Sequence, residues 1–168
     1  MLKCFSFDEY GYARYWKLKR KYLARHTEFG RSLVNQRWKH LMLRFGAWIP
    51  LSAKIHFTTT FPHGLYGIFI SMGAEIGENC VIFQQVTIGS NTLKDSENFG
   101  SPKLGKNIYI GTGAKIIGNV EIGDNVRIGA NCVVTKNIPA NSTVVLNQPR
   151  IIVHENSRNN SFLSWNNI

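Results

Sequence analysis

The chain has 168 residues, 43% of them hydrophobic, and a net charge of +10; this suits one core-forming domain with a small appendage and leaves no apolar run long enough to cross a bilayer. Residues 1–50 hold eleven Lys and Arg against Asp8, Glu9 and Glu28, while residues 51–168 hold nine against seven acids, so the basicity belongs to the N-terminal segment. Three cysteines, Cys4, Cys80 and Cys132, and a start without an apolar h-region argue for a reducing, cytoplasmic setting and against a secreted disulfide framework.

Residues 1–48 read as a helical segment. Val34, Trp38, Leu41, Met42 and Phe45 recur at i, i+4, i+7, i+8 and i+11, the stripe of an amphipathic helix. Tyr15, Leu18, Tyr22 and Leu23 suggest an earlier helix of the same kind, with a break at Thr27–Gly30. Arg14, Lys17, Lys19, Arg20, Lys21 and Arg25 form a basic face between the stripes. A helical cap over the next domain is one expectation; peripheral association with an anionic membrane surface is the other. No DNA or RNA motif accompanies the charge, so nucleic acid is not expected as a partner.

From residue 49 to residue 153 the pattern changes to a six-residue beat. Leu104, Ile110, Ile116, Ile122, Ile128 and Val134 form one aliphatic series, and Ile108, Ala114, Val120, Val126, Cys132 and Ile138 follow four residues behind. Upstream, Ile70, Ile76, Ile82 and Ile88 keep the beat, with Ala74, Cys80 and Val86 behind them. Six is neither the strand period of two nor the helix period of 3.6. A hexapeptide repeat is the mark of a parallel β-helix, each repeat giving one short strand and one turn. The first series should point inward, the second should fill the corners, and Gly or Asn should take the strained turn position. The beat slips across Phe61–Gly67 and breaks between Ile88 and Leu104. The polar segment 91–103 should therefore be extruded as a loop, where function concentrates. Residues 154–168 form a polar tail.

Five histidines are available, and two lie among the repeats: His56 and His63. His63 sits in the slip between Pro62 and Gly64, free of the core-facing beat. Residues 49–153 resemble the C-terminal half of serine acetyltransferases and, more closely, the saccharide O-acetyltransferases of that group. The resemblance rests on the segments 63–70, 77–89, 110–119 and 128–139. It implies a left-handed β-helix, acetyl-CoA as co-substrate without a metal, and a homotrimer with active sites between subunits. Carried over by residue, it implies His63 as general base, Gly89, Ser90, Thr112 and Ala130 along the pantetheine arm, and Lys136 and Arg150 near the nucleotide phosphates. Gln85 and Ser101 would face the acceptor. Imidazole can take the proton of an attacking hydroxyl, and a thioester is a good acyl donor, so no acyl-enzyme is needed.

The departures shape the expected acceptor. The resemblance implies an acid before the catalytic His, a second acid that orients it, and an Arg-His pair at the end of the loop. These positions hold Pro62, Trp48 and Gly100-Ser101. Without that clamp for a carboxylate, the expectation is a saccharide acceptor: acetylation of a sugar hydroxyl in capsule or other polysaccharide biosynthesis, at the inner face of the membrane. The alternatives are a serine O-acetyltransferase of cysteine biosynthesis and a non-catalytic trimeric scaffold. A zinc site of three His has only His56 and His63 to draw on within the repeats.

Overall fold

The computed structural model describes residues 11–158 and 160; Cys4, the first ten residues of the helical segment and most of the polar tail lie outside them. Two helices come first, α1 (Tyr12–Leu23) and α2 (Glu28–Phe45). The Thr27 side chain accepts the Gly30 N–H and caps α2, so the break between the helices falls just before Thr27. Gly46, in the left-handed region at φ 53°, closes its C-terminus.

Twelve strands of two or three residues follow, and they form three four-stranded parallel sheets. The first flat face stacks β1 (Lys54–Ile55), β3 (Glu75–Ile76), β6 (Lys103–Leu104) and β9 (Glu121–Ile122). The second stacks β4 (Val81–Ile82), β7 (Tyr109–Ile110), β10 (Arg127–Ile128) and β12 (Thr143–Val144). The third stacks β2 (Phe69–Ile70), β5 (Thr87–Gly89), β8 (Lys115–Ile117) and β11 (Val133–Val134). The chain visits the faces in turn and winds a left-handed parallel β-helix of triangular section.

Register shows where the coils depart from regularity. Lys103 pairs with Glu121, Tyr109 with Arg127 and Lys115 with Val133, each one coil of eighteen residues on. Lys54 pairs with Glu75 and Thr60 bridges to Val81, so the first coil is three residues longer. Phe69 pairs with Thr87 at the regular spacing, which confines the extra residues to the turn between Thr60 and Phe69, the turn that carries His63. Glu75 pairs with Lys103, and these ten further residues are the loop. Arg127 pairs with Thr143, two residues short, where the repeat runs out.

Both aliphatic series are buried except for Ile138, which is half-buried in that shortened coil. The strained turn position goes to asparagine far more than to glycine. Asn79, Asn107, Asn125, Asn131 and Asn141 all have φ between 56° and 60°, three residues after an inward aliphatic or in the equivalent place. Asparagine tolerates this region because its short side chain bonds locally. The glycines that follow the inward series do something else. A Cβ on Gly111 would lie 2.7 Å from Ala130 N of the next coil, so glycine there permits the coils to stack at strand spacing.

The helices cap the open first coil. Tyr15, Trp38, Met42 and Phe45 are buried with Ile49, Phe61 and Leu65. Trp38 Nε1 donates to Ile49 O at 2.8 Å, and Gly67 N donates to Phe45 O at 3.0 Å. Lys19 is not part of the solvated basic face. It is buried, and its ammonium donates to Leu51 O and Ala53 O at 2.9 and 2.5 Å. These carbonyls precede β1 at the open end of the coils; Ala53 O also accepts Ile55 N at 2.9 Å, and the cation takes the place of a neighbouring coil. Burial pulls the Lys19 pKa down to about 8. Leu23 is largely exposed, so the stripe on α1 ends at Tyr22, which packs half-buried against the core.

Candidate active site

Three corners separate the three faces, and each collects a column of turn residues. The column after β4, β7 and β10 carries His63. The three extra residues of the first coil lift the turn 61–68, with Gly64 and Gly67 in the left-handed region, so that the exposed imidazole stands over the turn below it. His63 Nδ1 lies 2.7 Å from Gln84 Oε1. With Oε1 as acceptor, Nδ1 carries the proton and Nε2 keeps its lone pair facing out. Phe83 meets the imidazole edge-on at 5.0 Å and passes the contact to Tyr109 at 5.1 Å. His63 is therefore oriented by a neutral amide and an aromatic wall, in place of a carboxylate.

Further down this column, Gly113 N donates to Gln84 O and Asn131 N donates to Thr112 O. Thr112 and Ala130 therefore belong to the His63 corner. Gln85 also lies there, at φ 61° in a position that other coils give to Asn or Gly. Its carbonyl accepts the Lys115 ammonium at 2.8 Å, which also reaches Gly113 O at 2.9 Å. Lys115 thus fixes a positive charge beside the turn that holds His63.

The next corner, after β5, β8 and β11, carries the loop. Asn91 and Gly100 pair in both directions, closing it at its base. Ser90 Oγ and Ser101 Oγ lie 2.7 Å apart. The loop does not stand free of the coils: Asn98 O accepts Asn119 N at 3.0 Å, and Asn98 Nδ2 donates to Thr135 O at 3.1 Å. Gly89, Ser90, Ser101 and Lys136 share this corner.

The candidate residues are thus divided between two corners of one subunit. His63, Gln85, Thr112 and Ala130 are on one; Gly89, Ser90, Ser101 and Lys136 are on the other. The six residue steps from Gln84 to Ser90 span up to about 20 Å. Arg150 lies beyond β12 in an exposed segment without regular structure. His56 occupies the third corner, where Nδ1 meets Thr58 Oγ1 at 2.9 Å and Glu78 lies 4.0 Å from Nε2. His56 and His63 therefore do not converge on one centre, and among the described residues no group of three or more His, Cys, Asp or Glu could hold a metal ion.

The groove residues are compatible with a thioester co-substrate. Gly89, Ser90 and Thr112 are half-buried and Ala130 is exposed, so small side chains leave the corner backbone open along both columns. Gln84 and Lys115 were not among the residues singled out from sequence. The signal for Gln84 was available: it lies 21 residues after His63, one coil plus the three-residue slip.

Residues 101–136 match the family described as bacterial transferase hexapeptide (six repeats). A serine acetyltransferase from Synechococcus elongatus is 40% identical over 96 residues, 57% of this chain and 38% of its own length. Serine acetyltransferase isoform 3 of Entamoeba histolytica, solved in complex with cysteine, is 32% identical with a TM-score of 0.70, over 87% of this chain and 51% of that one. A serine acetyltransferase solved in complex with CoA is 29% identical with a TM-score of 0.62, over 79% and 51%. The chain thus spans about half, or less, of the length of these relatives. They overturn the expected sugar acceptor, because relatives similar over the repeats are serine acetyltransferases. The absence of an acid at Pro62 and of a cationic pair at Gly100-Ser101 shows which clamp is missing; it does not build a sugar site. No helix among the described residues is long and apolar enough to cross a membrane. Over these coils the chain carries the hexapeptide repeats of that family model and is similar to part of the serine acetyltransferases.

Proposed function

We propose that the chain is an acetyl-CoA-dependent acyltransferase that acetylates the hydroxyl of serine, with His63 as general base, in a cytoplasmic homotrimer whose sites lie between subunits. The observation that carries this reading is the hydrogen bond from His63 Nδ1 to Gln84 Oε1, which leaves Nε2 as an outward-facing base on a domain similar to serine acetyltransferases. Nε2 takes the hydroxyl proton as the serine oxygen bonds to the acetyl carbonyl carbon. The carbon–sulfur bond then breaks, and the imidazolium returns its proton to the departing thiolate. Backbone N–H groups of the corner turns are suited to hold the transient oxyanion.

The serine carboxylate needs a cation. Lys115 meets that need without the Arg-His pair, since two of its three N–H groups hold Gln85 O and Gly113 O and one remains for a carboxylate. The face bearing β1, β3, β6 and β9 presents Lys54, Glu75, Lys103 and Glu121, with a Lys54–Glu75 ion pair at 2.8 Å, and suits solvent. The face bearing β2, β5, β8 and β11 presents Phe69, Thr87, Lys115 and Val133, and suits a subunit contact that joins a His63 corner to a neighbour's loop corner.

Thiol release from acetyl-CoA, measured with L-serine and with a panel of amino alcohols and neutral sugars, tests the reading. L-serine should support turnover well above background hydrolysis, and Lys115→Met should raise the KM for serine while leaving that for acetyl-CoA in place. Serine turnover no faster than hydrolysis would overturn it.

A further inference from the structure

A cavity of about 730 Å³ opens between α1 and α2, and no described residue of either corner column lines it. Its lining includes Arg14, Lys17 and Lys21 from one helix and Arg37 and Arg44 from the other, and no acid among the described residues. All five cations are exposed, and none makes an ion pair among the described residues. Asp8 and Glu9, upstream of Gly11, lie outside the described residues and would offset two of the five charges at most. Beside Arg37 and Arg44 on α2 runs a second feature. Phe29, Leu33 and Leu43 are 78%, 51% and 79% exposed. At 100° per residue they fall within about 80° of one another, opposite the buried stripe of Val34, Trp38, Leu41, Met42 and Phe45.

We infer that this face of the helical cap docks on an anionic phospholipid surface, the cavity taking phosphate headgroups and the Phe29–Leu33–Leu43 stripe entering the headgroup boundary. A helix with cations beside an exposed aromatic and aliphatic stripe has the composition of an interfacial anchor. The charge decides against self-association, because a second copy would set five cations against five. The stripe decides against nucleic acid, which has no use for exposed leucines beside a phosphate site. In a trimer three such faces would act together and multiply a weak attachment. The inference is independent of the acetyl acceptor.

Co-sedimentation of the full chain with vesicles tests it, comparing phosphatidylcholine alone with an equal mixture of phosphatidylcholine and phosphatidylglycerol. Binding is expected to the mixture only and to fall with added salt. Arg14→Glu, Arg37→Glu and Arg44→Glu together should weaken it by at least about a hundredfold. Phe29→Ser with Leu43→Ser should weaken it about tenfold or more while the charge stays. Both variants alter exposed residues, so acetyl-CoA turnover serves as the check that the coils remain folded. No binding to the mixture would overturn the inference. So would binding that the serine variant leaves untouched and inorganic pyrophosphate displaces in full, which would mean a free-anion site. Preferential binding to RNA, or a change of mass in light scattering with the serine variant, would overturn it in favour of those partners.

Discussion

Gln84→Leu is the sharpest perturbation of the proposed catalytic corner. The substitution keeps the backbone, so the Gly113 N–H still has its acceptor at Gln84 O, and it removes the Oε1 that lies 2.7 Å from His63 Nδ1. A hydrogen bond between neutral groups contributes about 0.5–1.5 kcal/mol net. If that energy holds the imidazole in its productive tautomer and orientation, kcat should fall roughly twofold to tenfold. Thermal stability should change little, because the lost partner is an exposed histidine. Gln84→Glu should act differently. A carboxylate at that position favours the protonated imidazole, so the acidic limb of the pH–rate profile should move to higher pH while the plateau survives. Thiol release from acetyl-CoA followed across pH distinguishes the two. Wild-type rate and profile in both variants would refute the idea that Gln84 positions His63.

Three other perturbations separate the corners and the cap. His63→Ala should lose about 10²- to 10⁴-fold in turnover and still bind acetyl-CoA, whereas His56→Ala, on the third corner, should be mild; the reverse order in a kinetic comparison would name the other histidine. Ala130→Trp, at an exposed position of the His63 corner, should raise the KM for acetyl-CoA without unfolding the coils, as read by circular dichroism. Lys19 has a folded pKa of about 8, below the ordinary lysine value near 10.4; the unfolded chain therefore holds the extra proton between the two, and this group makes stability rise as pH climbs from about 8 to about 10. Lys19→Met should flatten that rise relative to wild type in melts across this range. It should also lower stability near neutral pH, since Leu51 O loses its donor and Ala53 O keeps only the Ile55 N–H.

The coils were legible because a six-residue beat leaves each inward position no choice but an aliphatic or small residue: Ile116, Ala114 and Val126 are all fully buried. The turn chemistry was legible only in part. Gly or Asn was expected at the strained position, and Asn107, Asn131 and Gly113 carry the positive φ there; that Gly111 instead makes room for the next coil was not legible. The slip near Phe61 was visible as a loss of phase, but what it does required counting coils. Three extra residues raise His63 over the turn of the coil below and bring it to Gln84. Lys19 was unreadable from pattern alone. A lysine in a basic run reads as solvated, and only the carbonyls of Leu51 and Ala53 at the open end of the coil give it a buried place. The division of the candidate site was equally hidden. Periodicity says that Ser90 and Thr112 both follow strands; it does not say that they occupy different corners.

That division yields the most demanding test of the shared site. In a cyclic trimer each site would join the His63 corner of one subunit to the loop corner of the next. Take one variant broken only at the first corner, His63→Ala, and another broken only at the second, Ser90→Trp, which fills the space beneath the loop where Ser90 meets Ser101. Each homotrimer should be inactive. In any mixed trimer, whether two of the first and one of the second or the converse, one contact pairs an intact His63 corner with an intact loop corner. One site of three is then restored. With equal amounts and random assembly, about three quarters of the trimers are mixed, so activity should return to about one quarter of wild type. The variants must be co-expressed or refolded together, since preformed trimers need not exchange. If His63 and the loop corner act within a single chain, every chain in the mixture carries one broken corner, and the mixture stays as inactive as its parts. Recovery near one quarter supports a site between subunits; no recovery from co-refolded trimers of the expected mass returns the site to one chain.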